Sequence, residues 1–351
     1  MNKTALRNFA IYARRKLRDD VVLLASQIGI NKEGIVEAEI DESDFMSFNI
    51  GGVGNFTLKG KEVKYRKKLV EKLNGAEKYE EAFEQIVEET AYTWFNRLIA
   101  IRFMEVNEYL PERVRVLSSA SENDHIPEIL TNILDLDLFE NFTDQEKEYV
   151  INLKTSATKE SDEELFSFLF FKVTEELKEY LPYLFEKTDD YLELLFKPSF
   201  IEETGVIYKL VNEIDENDFN INPQKEDNDE EVKVKGTIEI IGWLYQYYNE
   251  EYKDKVINIY KGTVKKADIP AATQLFTTDW VVKYIVNNSL GRYWIERNSN
   301  SKLQEKLEFF VTPKDNKINY IDEKVNVEEL TFFEMIMQEL IQFNDCKRAV
   351  A

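Results

Sequence analysis

Apolar residues recur at steps of three and four through the start of the chain, at Leu6, Phe9, Ala10, Ala13, Leu17, Val21, Leu24 and Ile28. A 3.6-residue repeat returns such side chains to one face, so the spacing predicts an amphipathic helix over 4–28. Asn2 or Thr4 can cap it, and Gly29 fits its stop. A stronger signal covers 78–107, where Tyr79, Ala82, Phe83, Ile86, Val87, Ala91, Trp94, Leu98, Ile101 and Val106 hold the same period. Its second half is apolar almost all round, as in a helix buried on most sides. Arg97, Arg102 and Glu105 interrupt that apolar run. A buried charge is costly unless paired. Arg102 and Glu105, three apart, can pair along the helix. The alternative is a ligand- or DNA-facing role.

Other stretches break the helical period. Phe45, Phe48 and Ile50, then Gly51-Gly52-Val53-Gly54, then Phe56, Thr57 and Leu58 predict a short hairpin. The glycines have neither the Lys-Ser/Thr nor the strand–loop–helix context of a phosphate loop. Lys59, Lys61, Lys64, Arg66, Lys67 and Lys68 form the most basic stretch, on a helix near 62–73 with Val63, Leu69, Val70 and Leu73 inward. They read either as a solvated face or as phosphate contacts. Pro111 breaks the long helix, and Arg113 and Arg115 then alternate with Val114 and Val116. His125 lies in a polar loop and reads as exposed. Helices fill 126–213, with one stripe at Leu165, Phe166, Leu169, Phe170, Val173 and Leu177 and a cluster from Leu184 to Phe196. Residues 214–231 are acidic and polar, the pattern of an exposed loop or linker. In 237–248, Ile240, Ile241, Leu244 and Tyr248 share one helical face and Trp243 and Tyr247 another. Such aromatics serve core packing or base stacking.

Composition narrows the classes. With 12 Gly and 7 Pro in 351 residues, the chain reads as helical rather than all-β. Cys346 is the only cysteine and His125 the only histidine, which excludes an internal disulfide framework and argues against a histidine zinc site or a Ser-His-Asp triad. Charges throughout Met1 to Leu24 argue against a signal peptide, and no apolar run is long enough to span a bilayer. A cytoplasmic protein without metal is the expectation. The net charge of −22 means that most of the surface repels a duplex, leaving room only for a local basic patch.

The segment after Pro270 carries further chemistry. Thr277 or Thr278 can cap a helix, Asp279 complements its dipole, and Val281, Val282, Ile285, Val286 and Leu290 give it an apolar side that Gly291 can end. A helix N-terminus suits an anion such as the carboxylate of a bound amino-acid moiety. The stretch LFTTDWVVKYIVNNSLGR resembles the segment that opens the catalytic domain of adenine methyltransferases, where Phe-Thr-Pro precedes a helix beside the S-adenosylmethionine pocket; here Phe276-Thr277-Thr278 puts Thr where Pro is usual. Residues 91–119, 238–254 and 269–296 are similar to PglX-type adenine-specific DNA methyltransferases of the BREX phage-defence system. The resemblance runs to about residue 333.

That resemblance implies methylation of adenine in DNA with S-adenosylmethionine as donor. It implies Phe276, Thr277 and Thr278 on the cofactor side, DNA as partner and other BREX proteins as possible partners. The family continues from a strand like 328–333 into Asp-Pro-x-x-Gly-Ser-Gly and later Asn-Pro-Pro-Tyr/Phe; here no Gly-x-Gly follows Phe333, and the second motif occurs nowhere in the 351 residues. The expected architecture is mainly α: a helical domain over 1–213, an acidic linker or loop over 214–235, a helical connection over 236–268, and over 269–351 the incomplete start of an α/β, Rossmann-like methyltransferase domain. Truncation at Glu334 and inactivity of this chain alone are the matching expectations. The alternative is a non-catalytic, acidic helical module that binds defence-system proteins.

Overall fold

The computed structural model describes residues 1–51, 54–121, 125–185, 191–222, 236–260, 277–312 and 317–322, with backbone only at 257–260. The chain divides into two compact units, Met1–Lys255 and Val256–Ala351.

In the first unit the opening stripe folds as α1 (Lys3–Gln27). The Asn2 side chain accepts from the Ala5 N–H at 3.2 Å, and Gly29 beyond the helix has φ +73°. A Cβ there would lie 3.1 Å from the Val36 carbonyl oxygen, so conformation and space both favour glycine. The next residues make two small antiparallel sheets. One pairs β1 (Ile30–Asn31) with β2 (Gly34–Ile35); the other runs in the order β3 (Ile40–Asp41), β4 (Phe45–Ile50), β5 (Gly54–Lys59). β4 and β5 are the hairpin expected over 45–58, with Phe45 opposite Lys59 and Ile50 opposite Gly54. Met46 and Phe48 face inward at a period of two, and Leu58 opposite Met46 joins them.

Helices follow: α2 (Lys61–Asn74), α3 (Tyr79–Val106), α4 (Glu128–Asn132), α5 (Asp137–Glu140), α6 (Asp144–Ser156), α7 (Lys159–Tyr180), α8 (Pro182–Phe185), α9 (Tyr191–Leu194), α10 (Val206–Asn212), α11 (Glu216–Phe219), α12 (Glu239–Tyr248) and α13 (Glu250–Tyr260). Capping boxes start α6 at Thr143 with Glu146 and α7 at Thr158 with Ser161. Two apolar cores result. Leu6 to Leu17 of α1 and Ala91 to Val106 of α3 join Phe166, Phe170 and Leu244 in one. Val21 and Ala25 of α1, Ile28 just after it, and Phe83, Ile86 and Val87 of α3 join Phe48, Val63 and Leu69 in the other. At 28 residues, α3 is about 42 Å long and long enough to serve both.

Two expectations need correction here. Residues from Ile214 read as exposed linker, yet Ile214, Asp218 and Phe219 are buried, because α11 turns the chain back against α3. Residues 223–235 lie outside the described set. On α12, Ile240, Leu244 and Tyr248 face the core as expected, whereas Ile241 is exposed, one residue past the stripe.

In the second unit, α14 (Asp279–Val286), a π-helical turn (Asn287–Gly291) and α15 (Arg292–Arg297) run on without a break. Gly291 therefore does not end the helix. It is buried, and a Cβ on it would fall 2.6 Å from the Leu307 Cδ1. Asn287 and Asn288 in the π turn hold the later chain: Asn287 Oδ1 accepts from the Phe309 N–H at 3.0 Å, Asn288 Nδ2 donates to the Phe309 carbonyl at 2.8 Å, and Asn288 Oδ1 accepts from the Val311 N–H at 2.8 Å. The strand expected at 328–333 and the tail beyond it lie outside the described residues.

Candidate nucleic-acid interface and cofactor-side helix

The basic stretch is built by the turn from β5 into α2. Gly60, at φ +54°, reverses the chain, and the Lys59 N–H donates to the Glu62 carboxylate at 3.0 Å. Val63, Leu69 and Leu73 anchor α2 in the second core, which leaves Lys61, Lys64, Lys67 and Lys68 exposed along the helix and Lys59 exposed beside it. Lys67 lies 2.9 Å from Asp41 and Lys61 3.4 Å from Glu193. Exposed pairs of this kind cost little to open.

Arg66 departs from the row. Its guanidinium is buried; Nε donates to the Ile28 carbonyl at 2.8 Å and NH2 to the Val36 carbonyl at 2.9 Å, with the Phe48 ring 4.4 Å away. Burial lowers its pKa, and the charge of Asp41 opposes the shift. An arginine remains charged even so. Arg66 thus ties the end of α1 to the strands and is not placed to meet a phosphate.

Arg102 and Glu105 of α3 share a buried network. Arg102, 1% exposed, donates to Glu105 at 2.7 Å and to the Ser118 hydroxyl at 2.8 Å, and reaches Glu216 at 3.2 Å. The second Glu105 oxygen accepts from the backbone N–H groups of Val116 and Leu117 at 2.9 and 2.7 Å. Arg115 clasps Glu216 with two bonds, at 2.6 and 2.8 Å. Burial pushes the Glu216 carboxyl up, but the bonds from Arg115 and the charge of Arg102 outweigh it and hold it below the usual range. Arg97 has a different partner set: it lies over the Trp94 ring at 4.9 Å and donates to the Leu184 carbonyl at 3.2 Å. Sequence reasoning found the Arg102–Glu105 pair and missed Glu216, Ser118 and Arg115, which come from distant or irregular segments. A cavity of about 170 Å³ adjoins this network, lined by Arg102, Ser119, His125 and Glu216 among others. His125 is exposed, as expected.

The aromatic face of α12 is already engaged. Trp243 stacks on Tyr247 at 5.7 Å and Lys3 lies 3.9 Å from the Trp243 ring, while Tyr248 packs on Phe95 at 4.3 Å. Burial raises the Tyr248 hydroxyl pKa well above its ordinary value.

Of the three residues expected beside the cofactor, Phe276 lies outside the described residues. Thr278 occupies the N-cap with extended backbone, and its hydroxyl makes no capping bond. Asp279 pairs with Lys283 at 2.6 Å, so a carboxylate of the chain already sits in the first turn with its charge offset. Val282 and Val286 are buried, while Trp280, Tyr284 and Ile285 are exposed. Among the described residues no cluster of His, Cys, Asp and Glu could hold a metal, and no helix is long and apolar enough to cross a membrane.

Over 300 residues, 84% of the chain, it is 44% identical to the adenine-specific methyltransferase PglX of Lacticaseibacillus casei (strain Zhang). The chain is homologous to part of the PglX-type adenine-specific methyltransferases. A second relative, the adenine-specific methyltransferase BrxX of Escherichia coli O9:H4 (strain HS), is 33% identical over 321 residues, 90% of the chain. The matches take up 23% and 24% of these two relatives, so the chain spans about a quarter of the length of the PglX-type proteins it matches. No family model matches the chain. Both the lysine row on α2 and the buried network of α3 fall in the long stretch that the PglX-type relatives share in extent with this chain.

Proposed function

We propose that the chain is the amino-terminal portion of an adenine-specific DNA methyltransferase that acts in phage defence in the cytoplasm. The observation that carries this reading is the 44% identity to PglX over 300 residues. Residues 1–213 and 236–268 serve as a helical scaffold, and 269–351 begin the Rossmann-like methyltransferase domain. Lys59, Lys61, Lys64, Lys67 and Lys68 form the local basic patch that helps hold the duplex, whereas the rest of a chain with net charge −22 keeps DNA from binding elsewhere.

S-adenosylmethionine, when bound, supplies the methyl group. The residues at the start of α14 fit one end of it. Thr278 has a hydroxyl not used for capping, the helix N-terminus offers backbone N–H groups, and Lys283 offsets the Asp279 charge. These would hold the amino-acid end of the cofactor; the resemblance puts Phe276, outside the described residues, and Thr277 on the same side.

The 351 residues alone carry neither the glycine turn nor the Asn-Pro-Pro-Tyr/Phe of the family, so they transfer no methyl group by themselves. A labelled-methyl transfer assay on unmethylated duplex tests this; turnover by the purified chain would refute it. DNA binding is read separately, from the slope of log affinity against log salt. Replacing Lys61, Lys64, Lys67 and Lys68 by Glu lowers affinity and flattens that slope by roughly 0.9 for each phosphate that is no longer neutralised. An unchanged slope would remove the patch from the interface.

The net charge favours a second reading, a non-catalytic module that binds defence-system proteins. Calorimetry separates the two: heat with S-adenosylmethionine or a short duplex supports the first, and its absence together with a co-purifying protein supports the second.

A further inference from the structure

Only Asn249 separates α12 from α13, yet the two helices are held in different ways. α12 sinks Ile240, Leu244 and Tyr248 into the first core. From Glu250 to Lys255 no residue of α13 is buried, and Val256 is the first that is. Charge fastens these opening turns. Arg7 of α1 donates from Nε and NH2 to the two Glu250 oxygens at 2.7 and 2.6 Å. Arg15 of α1 grips Glu251 in the same way, with Nε 3.1 Å from one oxygen and NH2 bonded to the other. The Arg14 guanidinium adds a contact, 5.5 Å from the Tyr252 ring. We propose that the two Arg–Glu forks form a salt-releasable clasp, which docks the start of α13 on α1 and opens without disturbing α12.

The geometry is that of a clasp. Arg7 and Arg15 are eight residues apart on α1, about 12 Å along its axis. Glu250 and Glu251 are neighbours on α13 and point about 100° apart, so each reaches a different arginine. One fork would leave α13 free to pivot about it, whereas two at separate heights on α1 fix its direction. Bidentate guanidinium–carboxylate pairs are the exposed ion pairs that hold best. The Arg15 bond keeps the Glu251 carboxyl below its usual range, although burial opposes the shift. The arginine side chains are nevertheless 54% and 67% exposed, so dissolved salt reaches both forks. The first unit ends at Lys255, which puts the clasp on its last turns, where the chain passes into the second unit.

Hydrogen exchange of the whole chain, read by mass spectrometry, compares α13 with α12. A helix of 11 residues is marginal in water once undocked, so its amides then exchange. Raising sodium chloride from about 0.05 to about 1 M is expected to speed exchange in α13 by about tenfold while α12 stays protected. R7E/R15E is expected to do the same at low salt. E250R/E251R does so too, in part because cations at a helix N-terminus oppose its dipole. Adding R7E/R15E to E250R/E251R rebuilds both pairs with the charges exchanged and leaves the α13 sequence of that variant unaltered. Protection regained in this way comes across the two helices. Exchange in α13 unchanged by salt or by R7E/R15E, equal loss of protection in α12, or no recovery in the variant with all four substitutions would overturn the proposal.

Discussion

α2 and the carboxyl half of α3 both carry clustered charge, and the two put it to opposite uses. On α3, Arg102 and Glu105 are enclosed, and each polar contact they make closes on the protein itself. On α2, Lys61, Lys64, Lys67 and Lys68 are exposed; Lys67 pairs with the exposed Asp41, and Lys61 lies 3.4 Å from the half-buried Glu193. The lesson is about availability. A charge that has been desolvated and bonded mainly to the protein holds the fold and has little left for a ligand, while a solvated one contributes little to stability and is open to a phosphate. Arg66 belongs to α2 by position and to the α3 class by environment.

The contrast can be broken at several points. Glu105→Ala leaves the Arg102 guanidinium poorly compensated and frees two buried N–H groups, so urea unfolding should show a loss of about 3–5 kcal/mol. A loss under ~1 kcal/mol would mean the network is not tightly enclosed. Arg66→Met strips the Ile28 and Val36 carbonyls of their donor and should cost about 1–3 kcal/mol by the same measurement. Stability unchanged by that substitution would return Arg66 to the surface class. Glu216 gives a pH test. Its folded pKa lies below the unfolded value, so its contribution is complete above the unfolded carboxylate pKa of about 4.3 and is lost as pH falls through the folded value. Between about pH 6 and about pH 3 the wild type should therefore lose more stability than Glu216→Gln; parallel curves would show that Arg115 and Arg102 do not hold the carboxylate. Smallest of all, Lys64→Glu or Lys68→Glu should shift stability by no more than about 0.5 kcal/mol. A larger destabilisation would mean that the exposed row is structural.

Legibility followed the range of the contacts. α1, α3 and α7 were readable because their apolar stripes repeat within a few residues. The position of Arg66 was also readable in principle: with Val63, Val70 and Leu73 it falls on the inward stripe of α2, but grouping residues by charge obscured it. The small sheets before the hairpin were not readable, since strands of two residues carry no period. The partners of Arg102 were beyond reach for another reason: Glu216 lies 114 residues away, and its acidic surroundings read as linker. At the candidate cofactor side, the helix after Thr278 was visible in the pattern. Gly291 within its continuation leaves room for Leu307, a contact that no local rule contains.

That continuation has a mechanical consequence. Asn288 presents its side-chain amide to the main chain of residues 309 and 311, donating to one carbonyl and accepting from one N–H. The edge of a β-strand offers a neighbour the same alternation of donor and acceptor. A single helical side chain thus stands in for a missing strand and fixes the register of the segment laid against it. A change to Asp removes the donor, and a change to Leu removes both groups, so the segment would lose its ruler while the helix kept its own hydrogen bonds.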